Sequence, residues 1–124
     1  EMHPFTTYDH YLVLLAQADV AVMPLQNDIF NQCKSAVRVI DAASVSVACI
    51  ASDVGDSPAL IDDAKTGFIA RTSGDWTAAL QMLADAPSKK SAMKKATRTA
   101  LETRWSLQTG KHIIAPQILE WVKS

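Results

Sequence analysis

Three short apolar runs, each followed at once by turn-forming or polar residues, constrain the fold of this chain most strongly. They are "VAVMP" at residues 20–24, "VACIA" at residues 47–51 and "GFIA" at residues 67–70. Short runs that are apolar at nearly every position are typical of strands buried on both faces of a parallel sheet. Helical segments lie between and after these runs, so the order of elements predicts an α/β domain.

The helices are predicted from apolar spacing and from cap and breaker residues. Ser73 is the predicted N-cap of one of them, and the last helix is expected to bend near Pro116. The predicted helices cover residues 8–17, 34–43, 58–62, 74–85, a segment that restarts at Pro87, and 107–123. All three strands fall in the first 70 residues, which is few for an open α/β sheet. We therefore expect a partial, Rossmann-like three-layer domain whose parallel sheet is either small or lacks its first strands. It would form a single domain over residues 1–124, with C-terminal helices over about 88–124.

The composition is that of a globular chain: 124 residues, 48% hydrophobic and 20% charged. A net charge of −1 offers no basic field for nucleic acid, which we do not expect as a partner. No apolar stretch reaches the roughly 20 residues needed to span a bilayer, so we expect a soluble, cytoplasmic protein with Cys33 and Cys49 as free thiols. His3, His10 and His112 lack metal-ligand spacing, and no metal site is predicted.

A polar stripe crosses the predicted helix that begins at Lys34. At about 100° per residue, Lys34, Arg38 and Asp41 span a wedge of roughly 60°. Lys34 is expected in the first turn, where backbone N–H groups and the helix dipole favour an anion, and Asp41 can accept hydrogen bonds from a ribose. The stripe therefore suggests a nucleotide diphosphate. The alternative is a solvated face on which Arg38 pairs with Asp41.

Two other features have functional interpretations. Ligands of open parallel sheets bind beyond the carboxyl ends of the strands, so we expect Asp53 and Gly55, in the loop after the second strand, to lie near the nucleotide or its sugar. The second feature is a row of lysines on a helix near the C-terminus, most simply a solvated face and alternatively a contact for acidic lipid headgroups. The row consists of Lys89, Lys90, Lys94 and Lys95.

Four segments in order resemble the donor-binding, C-terminal half of GT-B glycosyltransferases, and more narrowly the retaining glycosyltransferase group-1 family. They are "ADVAVMPL", "FNQCKSAVRVIDAA", "ACIASDVGDSPALIDDAKTGFIA" and "DWTAALQMLAD", and the resemblance covers about residues 11–106. It implies transfer of a sugar from a nucleotide-diphosphate sugar to a glycan or lipid acceptor, without a cofactor. The acceptor would be bound by an N-terminal half that precedes this region in the family.

The resemblance also implies roles for single residues. Asp41 aligns with the family's ribose-binding acid, the second of two acids separated by seven residues. Some members carry an "FN..KS..K..E" form, which Asn31, Lys34, Ser35, Arg38 and Asp41 fit. In that form the Lys-Ser step would hold the diphosphate, with Arg38 as a second cation. No residue is assigned to catalysis.

The chain departs from the family pattern at four positions. Cys33 replaces the first acid of the pair, which contacts the donor sugar; Ser46 and Ala48 replace a glycine and a proline; and Ala59 replaces a further acid. We therefore expect the isolated chain to turn over weakly or not at all.

Other hypotheses remain open. One is a non-catalytic nucleotide-binding or partner module of a two-chain transferase, and another is a flavodoxin-like regulatory domain. A lipid acceptor would bring the protein to the inner membrane face as a peripheral protein. Surface left exposed without the other half would favour a homodimer.

Overall fold

A computed structural model describes residues 2–105 and 116–124 of the chain. Short strands alternate with helices over the first 70 residues, and only helices follow within the described residues. The elements are α1 Tyr8–Ala16, β1 Val20–Met23, α2 Ile29–Gln32, α3 Val37–Ser44, β2 Ala48–Ser52, α4 Ser57–Leu60, β3 Gly67–Ala70, α5 Ser73–Asp85, α6 Pro87–Ala100, a π-helical turn Leu101–Trp105, and α7 Pro116–Lys123.

The three strands form one parallel sheet in the order β1-β2-β3. Cys49, in the central strand, is aligned with Ala21 on one side and with Gly67 on the other. Every residue of β2 is buried, as expected for a strand that is covered on both faces and is apolar from Ala48 to Ala51. Ser52, at its end, is buried with its hydroxyl oxygen accepting from the backbone N–H of Leu25. The predicted small parallel sheet is confirmed.

Helices cover both faces of the sheet, because alternate residues of β2 point to opposite sides. Cys49 and Ala51 belong to one buried cluster, and Ala48 and Ile50 belong to the other. The first cluster includes Val39 and Ala42 of α3, and the second includes Ala79 and Leu83 of α5 and Met93 of α6. The arrangement has three layers, and the predicted Rossmann-like α/β class is confirmed.

Two predicted helix starts are wrong. The helix expected from Lys34 begins at Val37, and the separate helix α2 lies in the preceding loop. The N-cap of α5 is Thr72, because its hydroxyl accepts from the backbone N–H of Asp75; Ser73 is the first helical residue. Of the helix predicted over residues 107–123, the structure describes the part that forms α7, and residues 107–115, with His112, lie outside the described residues.

Both cysteines are free thiols, as predicted, with Cys33 exposed and Cys49 buried. Burial raises the pKa of the Cys49 thiol to about 12, so this side chain packs as a small apolar group. None of the helices in the described ranges is long and apolar enough to cross a membrane.

Candidate functional site

The loops that follow β1 and β2 meet at the carboxyl ends of these strands. Gly55, in the loop after β2, has a φ of +64°, and a Cβ there would lie 2.6 Å from the carbonyl oxygen of Lys34 and 3.1 Å from that of Asn31. The backbone N–H of Asp56 donates to the same Lys34 carbonyl at 3.2 Å. The fold therefore brings Gly55 against Asn31 and Lys34, which lie in a separate segment of the sequence.

The segment before α3 is held largely by its own contacts. The Asp28 carboxylate caps α2 by accepting from the backbone N–H of Asn31 at 2.8 Å and from the Asn31 side-chain amide at 2.9 Å. The Lys34 ammonium lies 4.9 Å from the centre of the exposed Phe30 ring, within the range of a cation–π interaction. The Asn31 amide thus has a structural partner, and the Lys34 cation lies beside this loop.

The start of α3 differs from the sequence prediction in a way that affects the site. Lys34 and Ser35 precede the helix, so the expectation that Lys34 occupies its first turn is wrong. The N-cap is Ala36, whose methyl group cannot accept a hydrogen bond, and no side chain caps the helix. A helix start without a side-chain cap offers backbone N–H groups to an anion, and Arg38 adds a cation in the same turn.

Arg38 and Asp41 line one open cleft of about 520 Å³ between α1 and α3, over the edge of β1. The two residues therefore lie on one side of the helix, as their spacing predicts. Asp41 is 7% exposed, whereas Arg38 is exposed. Apolar side chains form much of the remaining wall: Leu15, Ala21, Val22, Met23 and Val37.

Two tyrosines that sequence reasoning missed complete this cleft. The hydroxyl of Tyr8 donates to Asp41 Oδ1 at 2.6 Å, and this hydrogen bond raises the pKa of Tyr8. Tyr11 lines the same cleft, and its pKa is raised first by burial and then by the charge of Asp41. Their spacing of three residues on a helix was the available signal, because it puts both rings on one face of α1.

Asp53 lies in a different cleft, at the carboxyl end of β2. Its carboxylate pairs with Arg71, with 2.7 Å between Asp53 Oδ2 and Arg71 Nε. Both residues line an open cleft of about 590 Å³ together with Asn27, Thr72 and Trp76. Asp53 therefore does not share the cleft of Arg38 and Asp41, and its carboxylate already has a cationic partner.

Within residues 2–105 and 116–124, no three or more His, Cys, Asp or Glu side chains are grouped so that they could hold a metal ion. The cationic and hydrogen-bonding groups around α3 are instead suited to an anionic, hydroxyl-bearing organic ligand.

Comparison with known proteins identifies the family. The sequence model described as "Glycosyl transferases group 1" matches residues 4–86, which is 83 of the 124 residues and includes both clefts and all three strands. No curated protein matches the chain. The matched region begins before α1 and ends just after α5, so it includes the whole sheet and the helices α1 to α5, whereas α6 lies beyond it. The chain belongs to the group 1 glycosyltransferases.

Proposed function

We propose that this chain is the donor-binding part of a glycosyltransferase that moves a sugar from a nucleotide-diphosphate sugar to a glycan or lipid acceptor. Membership of the group 1 family supports transferase activity of the parent protein in general terms. The observation that carries the more specific proposal is the juxtaposition of Arg38 and Asp41 in one cleft, beside a helix start without a side-chain cap.

The proposed diphosphate site lies at the start of α3. Backbone N–H groups of its first turn bind phosphate oxygens, and the Arg38 guanidinium adds charge-assisted hydrogen bonds. Lys34 and the backbone of Ser35 lie immediately before this turn and supply a second cation and a further donor. A phosphate here also gains from the positive end of the helix dipole.

The proposed ribose site lies deeper in the same cleft, at Asp41. Asp41 is four positions after Val37, and at a rise of 1.5 Å per residue this is about 6 Å along the helix axis. That separation suits a sugar bound beside its own phosphate. A buried carboxylate is a strong acceptor for the two hydroxyls of a ribose.

A non-catalytic nucleotide-binding module, acting with a separate chain, is the second candidate function. It is favoured by Cys33, which is exposed beside Lys34 at the position where relatives carry an acid that contacts the donor sugar. A thiol cannot replace the two acceptor oxygens of a carboxylate. Both candidates require nucleotide binding, and they differ in whether sugar transfer follows.

Calorimetric titration of the 124-residue chain with UDP, GDP and their sugar conjugates tests the proposal. We expect one nucleotide to bind, and we expect Arg38→Gln and Asp41→Asn each to weaken its binding about tenfold or more. Lys34→Ala should weaken it less, because its cation lies outside the helix. Lys95→Gln, an exposed charge change on α6, is the matched control and should leave affinity unchanged.

Two results would overturn the proposal. One is the absence of binding to every one of these compounds at millimolar concentration. The other is binding that is indifferent to both Arg38→Gln and Asp41→Asn. A radiochemical assay of sugar transfer by the parent protein then separates the two candidates, because only a transferase moves the sugar. The 124-residue chain alone is expected to show weak or no turnover under either candidate.

A further inference from the structure

Asp41 is a buried acid whose carboxylate is held by a residue from another element. Tyr8, the first residue of α1, donates to Asp41 Oδ1 across 33 positions of sequence. Burying a carboxylate is costly unless donors satisfy it, so this hydrogen bond both stabilises the charge and restricts the rotation of the carboxyl group. Ser44 contacts the same residue differently, since its hydroxyl donates to the Asp41 backbone carbonyl at 2.6 Å.

Hydrogen-bonding capacity remains on both partners. A carboxylate has about four lone-pair positions and a phenol oxygen can accept as well as donate, so one bond between them does not exhaust either group. Tyr8 is 59% exposed although its hydroxyl is bound, and it lines the cleft together with Asp41. One hydroxyl of a vicinal diol can therefore donate a hydrogen bond to the Asp41 carboxylate, and the other can donate to the phenol oxygen of Tyr8.

The protonation state of Tyr8 suits this role. A phenol is protonated at neutral pH and can donate, and the hydrogen bond to Asp41 raises the pKa of Tyr8 above its ordinary value of 10.0. Its donated proton occupies one side of Asp41 and leaves the remaining acceptor positions in a defined orientation.

We infer that Tyr8 is a positioning residue of the donor site, which orients Asp41 and shares with it the recognition of the ribose diol. This inference rests on the proposed function, because it requires a nucleotide in the cleft. Under this inference Tyr8, which lies in α1 and not near α3 in sequence, contributes to a preference for ribonucleotides over deoxynucleotides. A purely structural role, in which Tyr8 only attaches α1 to α3, makes different predictions.

Affinities of wild type and Tyr8→Phe, measured by calorimetry on the whole 124-residue chain, test the inference. The probes are UDP and GDP and the 2′-deoxy and 3′-deoxy forms of each. We expect wild type to prefer the ribonucleotide over both deoxy forms. Tyr8→Phe should weaken ribonucleotide binding about tenfold and reduce the discrimination against at least one deoxy form to about twofold. Ser44→Ala removes the hydrogen bond to the backbone carbonyl of Asp41 and leaves its carboxylate untouched. This variant should preserve the discrimination between ribonucleotides and deoxynucleotides.

A second variant guards against a folding defect. Asp41→Asn and the double variant Tyr8→Phe/Asp41→Asn complete a thermodynamic cycle. The inference is supported if the two substitutions are coupled. In that case the double variant loses little more discrimination between ribonucleotides and deoxynucleotides than Asp41→Asn alone. Additive losses overturn it.

Other outcomes are equally decisive. If Tyr8→Phe lowers the thermal midpoint and weakens ribo- and deoxynucleotides equally, the role is structural and the inference is overturned while the proposed function stands. The same holds if wild type binds a nucleotide without discriminating against either deoxy form. If wild type binds none of the probes, both the inference and the proposed function are overturned.

Discussion

At the scale of single residues, Ser46 follows α3 with a left-handed backbone, at a φ of +58°. The family pattern has a glycine at this position, and the backbone explains why. A side chain with a Cβ is strained in this region, and glycine is not. The serine at position 46 therefore has a cost in stability.

Ser46→Gly is expected to stabilise the fold. Relief of the left-handed strain outweighs the larger entropy of glycine in the unfolded chain, and the expected gain in the free energy of unfolding is about 0.5 to 1 kcal/mol. Urea denaturation followed by circular dichroism measures it. Ala92→Gly, at an exposed helical position in α6, is the control and should lose about 1 kcal/mol. A loss of stability in Ser46→Gly would contradict the strain argument.

Gly55 is the residue at which the two loops of the site approach each other most closely. Gly55→Ala would place a methyl group 2.6 Å from the Lys34 carbonyl oxygen at a φ of +64°, so both the backbone and the contact are strained. We expect a loss of about 3 kcal/mol in the free energy of unfolding and weaker nucleotide binding, measured by urea denaturation and calorimetry.

Gly74→Ala is the matched control for that variant. A Cβ at Gly74 would meet the Thr72 hydroxyl oxygen at 3.6 Å, an ordinary contact, and alanine favours the helix. Its stability should be unchanged or higher. Equal losses in the two alanine variants would argue that the packing of Gly55 on Lys34 is not the cause.

At the scale of elements, α5 begins with a complete capping box. The Thr72 hydroxyl accepts from the backbone N–H of Asp75 at 3.2 Å, and the Asp75 carboxylate accepts from the backbone N–H of Thr72 at 2.8 Å. Asp75 also accepts from the backbone N–H of Arg71 at 2.8 Å. These bonds satisfy donors at the helix start, so this N-terminus is occupied by the chain's own carboxylate, unlike that of α3.

Thr72→Ala is expected to lower the free energy of unfolding by about 1 kcal/mol, because the N-cap hydroxyl is lost. Ser73→Ala removes a hydroxyl one residue later, inside the helix, and should change stability by only a few tenths of a kcal/mol. Thermal unfolding of the two variants side by side tests the assignment. A larger effect for Ser73→Ala would restore Ser73 as the N-cap that the sequence had suggested.

The lysine row of α6 is only partly a solvated face. The Lys90 ammonium pairs with Asp19 at 2.7 Å, and the Lys94 ammonium donates to the carbonyl of Ala18 at 3.4 Å. Both contacts join α6 to the segment between α1 and β1. Periodicity alone predicts which side of a helix is polar. It does not predict which neighbouring element contacts that side.

At the scale of the whole molecule, carboxylates connect segments that are distant in sequence. Asp19 pairs with Lys90 of α6, and Asp62, before β3, accepts from both terminal nitrogens of Arg104 at 2.6 and 3.2 Å. The pKa of Asp19 and that of Asp62 are lowered, in each case chiefly by the hydrogen bond from the cationic partner. The pKa of Asp75 is lowered by its backbone hydrogen bonds.

Acid is therefore expected to destabilise the fold. A carboxylate whose pKa is depressed on folding contributes stability that is fully present above its unfolded pKa of about 4 and is lost as the pH falls through the lower folded pKa. The free energy of unfolding should be nearly constant from pH 7 to pH 5 and should fall below pH 4. Urea denaturation at constant ionic strength measures it.

Asp62→Asn provides the control for this pH dependence. Its stability should be lower than that of wild type at pH 7 and should fall less steeply between pH 4 and pH 2.5, because one titrating carboxylate has been removed. A wild-type stability that is independent of pH down to 2.5 would show that these contacts contribute nothing measurable.

The sequence by itself determined the class of fold, because a buried strand such as β2 must be apolar on both faces and an amphipathic helix must repeat its apolar residues with the helical period. It also determined that Arg38 and Asp41 share one side of α3, since three residues make almost one turn. These are local properties of a short segment. The family resemblance followed from the same ordered segments.

Only the tertiary structure decided where α3 begins, which donor holds Asp41, and which residues share a cleft. The Lys34 carbonyl is contacted by the loop after β2, and Asp41 is held by Tyr8 from α1. Asp53 is paired with Arg71 and lines a cleft different from that of Arg38 and Asp41. Each of these outcomes depends on a hydrogen bond or ion pair between residues distant in sequence. Periodicity cannot encode such a partner, because the partner is chosen by the packing of layers and not by the spacing of residues within one element.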